Sequence, residues 1–467
     1  MSTEAEKGKY TTPGGSKTWE YLTTFICSIM CMGIGAIIGW SSPSIVKLMA
    51  PDSPIPVTAS NISTLVAMIA VGHILGPPLS QLVVDRKGRK TAILLSGLSA
   101  IICWGLTIVA TNIWILYVTR FMGGLYLGQF APAFAMYIGE IASPDTRGAA
   151  TAANTIMFNF GILGMFIVAP YLSIPTMAAF WLIMSVGCTI AFWFMPESPY
   201  YLAMKDRMDD AEAALEKLRG RTDVSEDLQV IVESVSNSDE KRGRTGGLRE
   251  LLTVRANRRA FIIINLVSFT HHFGGYHMII SYGQLIFKSA DLQMISDHTA
   301  SVVIGVMQVT SVIGITFLVD KLGRRPLLLF SGVVVTASNL VIGVFFYAKE
   351  YLNMDVSAYS TAMLIATVLL VFGFNCGLMP LQLILMSEIF GTEIKALAIC
   401  LLTTSSGCIA VVSVKLYILI AVTWGYGHSL LYLAFCVFVA VSTLAILRLL
   451  PETKGKTFVQ IQKELSD

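Results

Sequence analysis

A short charged motif, Asp85-Arg-Lys-Gly-Arg-Lys90, occurs a second time as Asp320-Lys-Leu-Gly-Arg-Arg325, and each copy stands between two long apolar stretches. Two further pairs repeat in the same order. Glu140 lies seven residues before Arg147 as Glu388 lies seven before Lys395, and Pro196-Glu-Ser recurs as Pro451-Glu-Thr. Three ordered pairs at matching positions indicate that the chain consists of two copies of one structural unit.

The composition shows what each unit is made of. Of the 467 residues, 54% are hydrophobic and 13% charged, and the mean hydropathy is +0.68, which is outside the range of soluble globular domains. Roughly twelve apolar runs are long enough, at about 20 residues each, to cross a bilayer. Because backbone groups in lipid must pair internally, these runs have to be helices. The sequence predicts an all-α membrane protein of twelve transmembrane helices in two parallel six-helix repeats.

Charge and polarity divide the chain into five parts. We predict a tail (1–21), a first six-helix half (22–196), a polar linker with short helices (197–259), a second six-helix half (260–450) and a second tail (451–467). Lys and Arg collect in alternate loops and in the linker. By the positive-inside rule, both termini and the linker are expected to be cytoplasmic.

The repeated charges fall at the predicted cytoplasmic ends of the helices, where ion pairs can form in one conformation and separate in another. We predict a gating charge network there. Its first set is Asp85 with Arg89, Glu140 with Arg147, and Glu197, and its second set is Asp320 with Arg324, Glu388 with Lys395, and Glu452. If only the basic residues are considered, the positive-inside topology together with helix capping is the alternative explanation for their positions.

These motifs and several others resemble those of the sugar porter family of the major facilitator superfamily. The matching stretches are Arg120-Phe-Met-Gly-Gly124, Tyr137-Ile-Gly-Glu140, Pro196-Glu-Ser-Pro199, Ser387-Glu-Ile-Phe390 and Pro451-Glu-Thr-Lys-Gly455. The resemblance implies the major facilitator fold, transport of hexoses, disaccharides or polyols by alternating access, and residence in the plasma membrane. The short N-terminal region and compact outer loops are most similar to the arthropod facilitated trehalose transporter-like branch.

The seventh span, 260–287, carries the most distinctive polar residues. It reads His271-His272-Phe273-Gly274-Gly275-Tyr276-His277, with histidines where the family has two glutamines and an asparagine. Polar residues inside a span are costly unless they serve a cavity or a partner, so these histidines are predicted to line the sugar site. The glycine pair can either break the helix or allow close packing.

The resemblance implies further site residues, placed by fixed offsets from the motifs or as replacements for a tryptophan that the tenth span, 361–389, lacks. They are Tyr282, Gln308, Thr155, Asn375, Ser406 and Trp40. Hydrogen bonding between helices is the alternative role for each polar member of this set. Lys415 can line the cavity or extend to the membrane interface.

One residue of the first span bears on whether transport is coupled to protons. Proton-coupled members of the family carry an aspartate in the first span, where this chain has Ile37, and no Asp or Glu lies in a span except at the cytoplasmic ends. This favours facilitated diffusion and leaves Arg120 without that acidic partner. Proton symport through the histidines stays open because imidazole titrates near neutral pH. A sugar sensor that does not transport is a third hypothesis.

Other function classes find no support in the sequence. The eight cysteines lack metal-ligand spacing, and we find no phosphate-binding loop, nucleophile elbow or dinucleotide-binding turn. We therefore expect no enzyme activity, no metal or cofactor and no nucleic-acid partner. The expected partners are a small-molecule sugar and the lipid bilayer, with the monomer as the functional unit.

Overall fold

The computed structural model describes residues 16–143, 146–242, 248–390, 392–454, 456 and 458–466. Ten helices within this part of the chain are long and apolar enough to cross a membrane. Ile113–Ile141 adds a further helix of 29 residues, and two shorter helices in succession, Arg255–His272 and Tyr276–Ala290, complete the set of twelve spans.

The first half consists of six spans. They are α1 (Thr18–Gly39), which continues after Trp40 as α2 (Ser41–Leu48), then α3 (Ala59–Lys87), α4 (Arg89–Ile108), α5 (Ile113–Ile141), α6 (Arg147–Val168) and α7 (Ile174–Trp193). Glycines allow these helices to pack with their backbones in contact. A Cβ on Gly35 of α1 would lie 1.8 Å from the Phe158 carbonyl oxygen of α6, and one on Gly124 of α5 would lie 2.0 Å from the Ile69 carbonyl oxygen of α3. Small residues at helix interfaces have this role in membranes.

The linker folds into short helices: α8 (Pro199–Met204), α9 (Met208–Arg219), α10 (Ser225–Arg242) and α11 (Leu248–Thr253). They lie at the end of the bundle that carries the charged motifs, which we call the linker end, and we call its counterpart the opposite end. Arg219 in α9 forms an ion pair of 2.9 Å with Glu20 near the start of α1. The pair attaches the linker to the first half.

The second half repeats this arrangement with more irregular helices. It comprises α12 (Arg255–His272), α13 (Tyr276–Ala290), α14 (Asp297–Leu322), α15 (Arg324–Glu350), a 3₁₀ turn (Ser357–Tyr359), α16 (Ser360–Gly373), a π turn (Phe374–Leu378), α17 (Met379–Glu388), α18 (Thr392–Ile418), a second π turn (Leu419–Thr423), α19 (Ser429–Leu449) and α20 (Phe458–Ser466).

The seventh span is broken, as the glycine pair allowed, and is not one continuous helix over 260–287. Gly275 has φ of +87°, a conformation that glycine adopts without steric cost. The carbonyl freed at Gly274 accepts a hydrogen bond of 3.0 Å from the Asn339 side chain. In the tenth span, Ser331 Oγ donates to the Gly373 carbonyl oxygen and accepts from the Leu378 N–H, which satisfies backbone groups on both sides of the π turn.

Several contacts join the two halves toward the opposite end. The N–H of Gln284 in α13 donates to Ser42 Oγ of α2 at 3.0 Å, and Lys415 Nζ of α18 donates to Thr64 Oγ1 of α3 at 2.6 Å. Lys415 therefore bridges the halves, a role that neither sequence hypothesis for it included.

Candidate functional site

Three histidines meet at the break between α12 and α13. The ring centroids of His271, His272 and His277 lie 4.7 to 5.0 Å from one another. The break brings them together because His271 and His272 end α12 while His277 lies in the first turn of α13. The three imidazoles form one continuous polar surface at the middle of the span.

Side chains of neighbouring helices extend this surface. His272 Nε2 lies 2.9 Å from Ser406 Oγ in α18, and Gln308 Nε2 in α14 donates to the Tyr276 hydroxyl at 2.5 Å. Phe374, at the start of the first π turn, stacks on Tyr276 with the centroids 4.1 Å apart and contacts His271 at 4.8 Å. Imidazole, amide and hydroxyl groups thus border an aromatic wall.

Several of these groups retain free hydrogen-bonding capacity although they are buried. Nδ1 of His271, Nε2 of His277, Oε1 of Gln308 and both side-chain polar atoms of Asn375 have no hydrogen-bond partner. Buried polar groups are normally paired, so a cluster of unpaired ones marks a place where a polar molecule can bind. Neutral donors and acceptors beside an aromatic ring match the surface of a sugar.

The remaining predicted site residues lie elsewhere. Tyr282 stacks on Tyr417 at 5.6 Å. Trp40 lies in the first half, where its ring is 4.7 Å from the guanidinium carbon of Arg120. Thr155 is exposed on α6, and its hydroxyl donates to the Thr151 carbonyl of its own helix. None of these contacts reaches the histidine cluster.

The charged motif of the first half forms a compact cluster at the linker end. Arg89 pairs with Glu140 at 2.7 Å, and Glu197 Oε1 accepts hydrogen bonds from the backbone N–H groups of Arg89, Lys90 and Ser198. These contacts hold the start of α4, the end of α5 and the start of the linker together.

The second half repeats this cluster. Arg324 pairs with Glu388 at 2.6 Å, and Glu452 accepts from the backbone N–H groups of Arg324 and Arg325. A hydroxyl follows each backbone-binding glutamate, and it donates to the paired glutamate: Ser198 to Glu140 and Thr453 to Glu388. The two clusters thus share one arrangement of ion pair, backbone-binding glutamate and hydroxyl.

Two of the expected pairings are not formed in this structure. Asp85 does not pair with Arg89, because α3 ends at Lys87 and Arg89 begins a new helix; Asp85 instead accepts from Gln81 Nε2. Arg147 does not pair with Glu140, since it is exposed at the start of α6 and donates to the Gly139 carbonyl. The side chains of Asp320 and Lys395 lie outside the described residues, so the corresponding second-half pairings stay predictions.

The sequence-based candidates did not include three polar residues at or near the site. Tyr276 lies within the quoted motif and was given no role. Gln284 in α13 is buried with both side-chain polar atoms unpartnered, and His73 of α3 is close enough to His272 to interact electrostatically across the two halves. All three are polar residues within spans, which is the signal that could have identified them.

Twelve spans in two equivalent halves, with a neutral polar and aromatic surface at a break in the seventh span, define an integral membrane protein suited to carrying a polar solute. The chain belongs to the family described as Sugar (and other) transporter, whose model matches residues 10–465. This confirms the prediction of a sugar-transporting membrane protein that the repeated motifs supported.

Curated relatives match nearly the whole chain. The facilitated trehalose transporter Tret1 of Bombyx mori is 29% identical over 455 residues, covering 96% of this chain and 87% of the relative. Sugar transporter ERD6-like 7 of Arabidopsis thaliana is 29% identical over 446 residues, covering 95% and 93%. The chain is similar in length and sequence to both.

Solved structures share the fold. The proton:xylose symporter XylE, of the major facilitator superfamily, bound to 6-bromo-6-deoxy-D-glucose, matches with a TM-score of 0.73 at 20% identity, covering 96% of this chain and 99% of that structure. The inward-open conformation of XylE from E. coli matches with a TM-score of 0.77 at 19% identity, covering 94% and 98%. The predicted twelve-helix fold is therefore confirmed.

Proposed function

We propose that the protein carries a neutral sugar, either a hexose or a trehalose-like disaccharide, by facilitated diffusion with alternating access. The observation that carries this proposal is the cluster of buried, unpaired polar atoms on His271, His277, Gln308 and Asn375 around the Tyr276–Phe374 stack. The similarity to trehalose transporters that are named as facilitated supports the substrate class and the energy source.

Arg120 supports uniport over proton symport. Its guanidinium donates to the Ile37 carbonyl at 2.7 Å and to Ser41 Oγ at 2.8 Å, and it lies against the Trp40 ring. A carbonyl, a hydroxyl and an aromatic face hold this charge without a proton-accepting carboxylate.

In this proposal the linker end and both termini face the cytoplasm, the protein resides in the plasma membrane and the monomer transports. The contacts of Ser42 with Gln284 and of Thr64 with Lys415 close the opposite end, as an inward-facing state requires. The two charged clusters bias the equilibrium between this inward-facing state and the outward-facing one. Asp85, Arg147, Asp320 and Lys395, which belong to the same repeated motifs, are expected to contribute to this bias.

Uptake by proteoliposomes containing only this protein tests the proposal. Labelled glucose, fructose and trehalose are supplied at several external pH values to wild type, His271→Gln and His272→Gln, with exposed His298→Gln as the matched control. We expect saturable, pH-insensitive uptake that the first two variants alter and the control does not. A requirement for an inward proton gradient would establish symport, and no uptake of any sugar would favour a sensor.

A further inference from the structure

A cavity of about 330 Å³ lies between α14, α15 and the first π turn, apart from the histidine cluster. Its walls include Gly314 of α14, Phe330 of α15, Phe372 of α16 and Cys376 of the π turn. Volumes of this size are at the lower end of ligand-binding pockets. The cavity has no role in the transport mechanism proposed above.

The walls are apolar in effect, including the two hydroxyls among them. Thr310 Oγ1 donates to the Val306 carbonyl and Ser311 Oγ donates to the Met307 carbonyl, both within α14. The other described wall groups are hydrocarbon, aromatic rings and a thiol. Neither hydroxyl has a free proton to donate to a polar ligand. A largely apolar cavity of this kind also excludes water.

The mouth of the cavity faces lipid. Leu329, Phe330 and Val333, in the first half of α15, are 48%, 47% and 59% exposed, and exposed apolar side chains on a membrane-spanning helix contact the bilayer. The molecules present at that depth in high concentration are hydrocarbon chains, which enter an apolar cavity without losing any contact with water because they have none.

We propose that this cavity binds one hydrocarbon chain of a membrane lipid and that the bound chain supports the π turn. Cys376 faces the cavity while Phe374, two residues earlier, stacks on Tyr276 and contacts His271. One turn of helix therefore separates the lipid chain from the histidine cluster. The inference concerns lipid binding and holds whichever solute the protein carries.

A phospholipid with a photoactivatable group in its acyl chain tests the proposal. Full-length protein in nanodiscs is photolabelled, and the labelled residues are mapped by mass spectrometry. We expect labelling to concentrate at the cavity walls. Gly314→Phe should remove most of this labelling, because the phenyl ring would occupy the volume that the chain fills.

Gly314 and Gly187 form a matched pair, because a Cβ at either position meets no atom within 4 Å. Gly187→Phe, on α7, should leave labelling of the cavity unchanged. Thr310→Phe, at an exposed position on the cavity rim, provides a second blocking variant if melting curves show that Gly314→Phe is unfolded. Labelling that is unchanged by a folded blocking variant, or no denser at the cavity than along α7, would overturn the proposal. The proposal would also be overturned if a soluble apolar probe labelled the cavity and added lipid did not reduce that labelling.

Discussion

Glu197 and Glu452 occupy equivalent positions but bind their backbone N–H groups differently. Glu197 uses a single oxygen, Oε1, for three N–H donors. Glu452 uses both, with Oε1 accepting from Arg324 and Lys454 and Oε2 accepting from Arg325. A glutamine has one acceptor oxygen, so it can replace the first glutamate but not the second.

The pKa values of the two carboxyls are shifted in opposite directions. Burial raises the pKa of Glu197, and the N–H groups that it binds oppose this rise without cancelling it. For Glu452, burial would also raise the pKa, but hydrogen bonds from the backbone of Arg324 and Arg325 outweigh it and the pKa is lowered from 4.5. The charge of Glu452 is therefore stabilised, whereas that of Glu197 is tolerated at some cost.

We predict that Glu452→Gln lowers the free energy of unfolding by about 1 kcal/mol at neutral pH, because the Arg325 N–H loses its partner. Glu197→Gln should be close to neutral. The stabilisation by Glu452 is present above about pH 4.5 and is lost as the pH falls through its lowered pKa, so the difference between Glu452→Gln and wild type should shrink in acid. Thermal melts of both variants across pH measure these differences in stability. Equal destabilisation by Glu197→Gln and Glu452→Gln at pH 7 would contradict the prediction.

At the scale of an element, the break between α12 and α13 depends on Gly275. Its φ of +87° disfavours any other residue, and a Cβ there would lie 2.7 Å from Asn339 Oδ1. Gly275→Ala should destabilise the protein by about 1–3 kcal/mol and separate the His271 and His277 rings. Gly164→Ala in α6, where a Cβ meets nothing within 4 Å, is the control. Equal melting temperatures for the two variants would show that the break does not need glycine.

The ion pair of α9 with α1 gives a second prediction at this scale. Glu20 is 1% exposed and accepts from Arg219 and from the N–H and hydroxyl of Ser143. Arg219→Leu would leave this buried carboxylate without a compensating charge, which costs about 3–5 kcal/mol. Arg207→Leu breaks an exposed pair with Asp210 and should cost less than about 1 kcal/mol. Denaturant titration of both variants would reveal whether the buried pair matters more.

Repetition and hydropathy were sufficient to predict the twelve spans and the two halves, because these are local patterns. The three histidines were singled out by the family resemblance and by the cost of polar residues inside a span. The ion pairs were harder to predict. Asp85 and Arg89 are four residues apart, a spacing that forms a pair only on a continuous helix, and Gly88 with φ of +99° ends that continuity. The bond from Lys415 to Thr64 joins residues far apart in sequence, so no local pattern could indicate it.

At the scale of the whole molecule, two hydrogen bonds between the halves keep the opposite end closed. One is the backbone bond from Gln284 to Ser42, and the other comes from the charged Lys415 to Thr64. The Thr64 hydroxyl also donates to the Ser60 carbonyl of its own helix, so its oxygen is oriented to accept from the lysine. Rocking to the alternative state must break both bonds between the halves.

Lys415→Met keeps the aliphatic stem and removes the donor. A hydrogen bond from a charged group contributes about 1.5–3 kcal/mol, so the equilibrium should shift at least about tenfold toward the state that is open at the opposite end. Distances between spin labels at positions 86 and 325, both exposed at the linker end, should shorten as that end closes.

Thr64→Val should give the same shift as Lys415→Met. The double variant should shift the equilibrium no further than either single variant, because all three variants lose the same bond. Lys349→Met is the control lysine. Additive shifts, or an unchanged distance distribution, would mean that this bond does not hold the halves together.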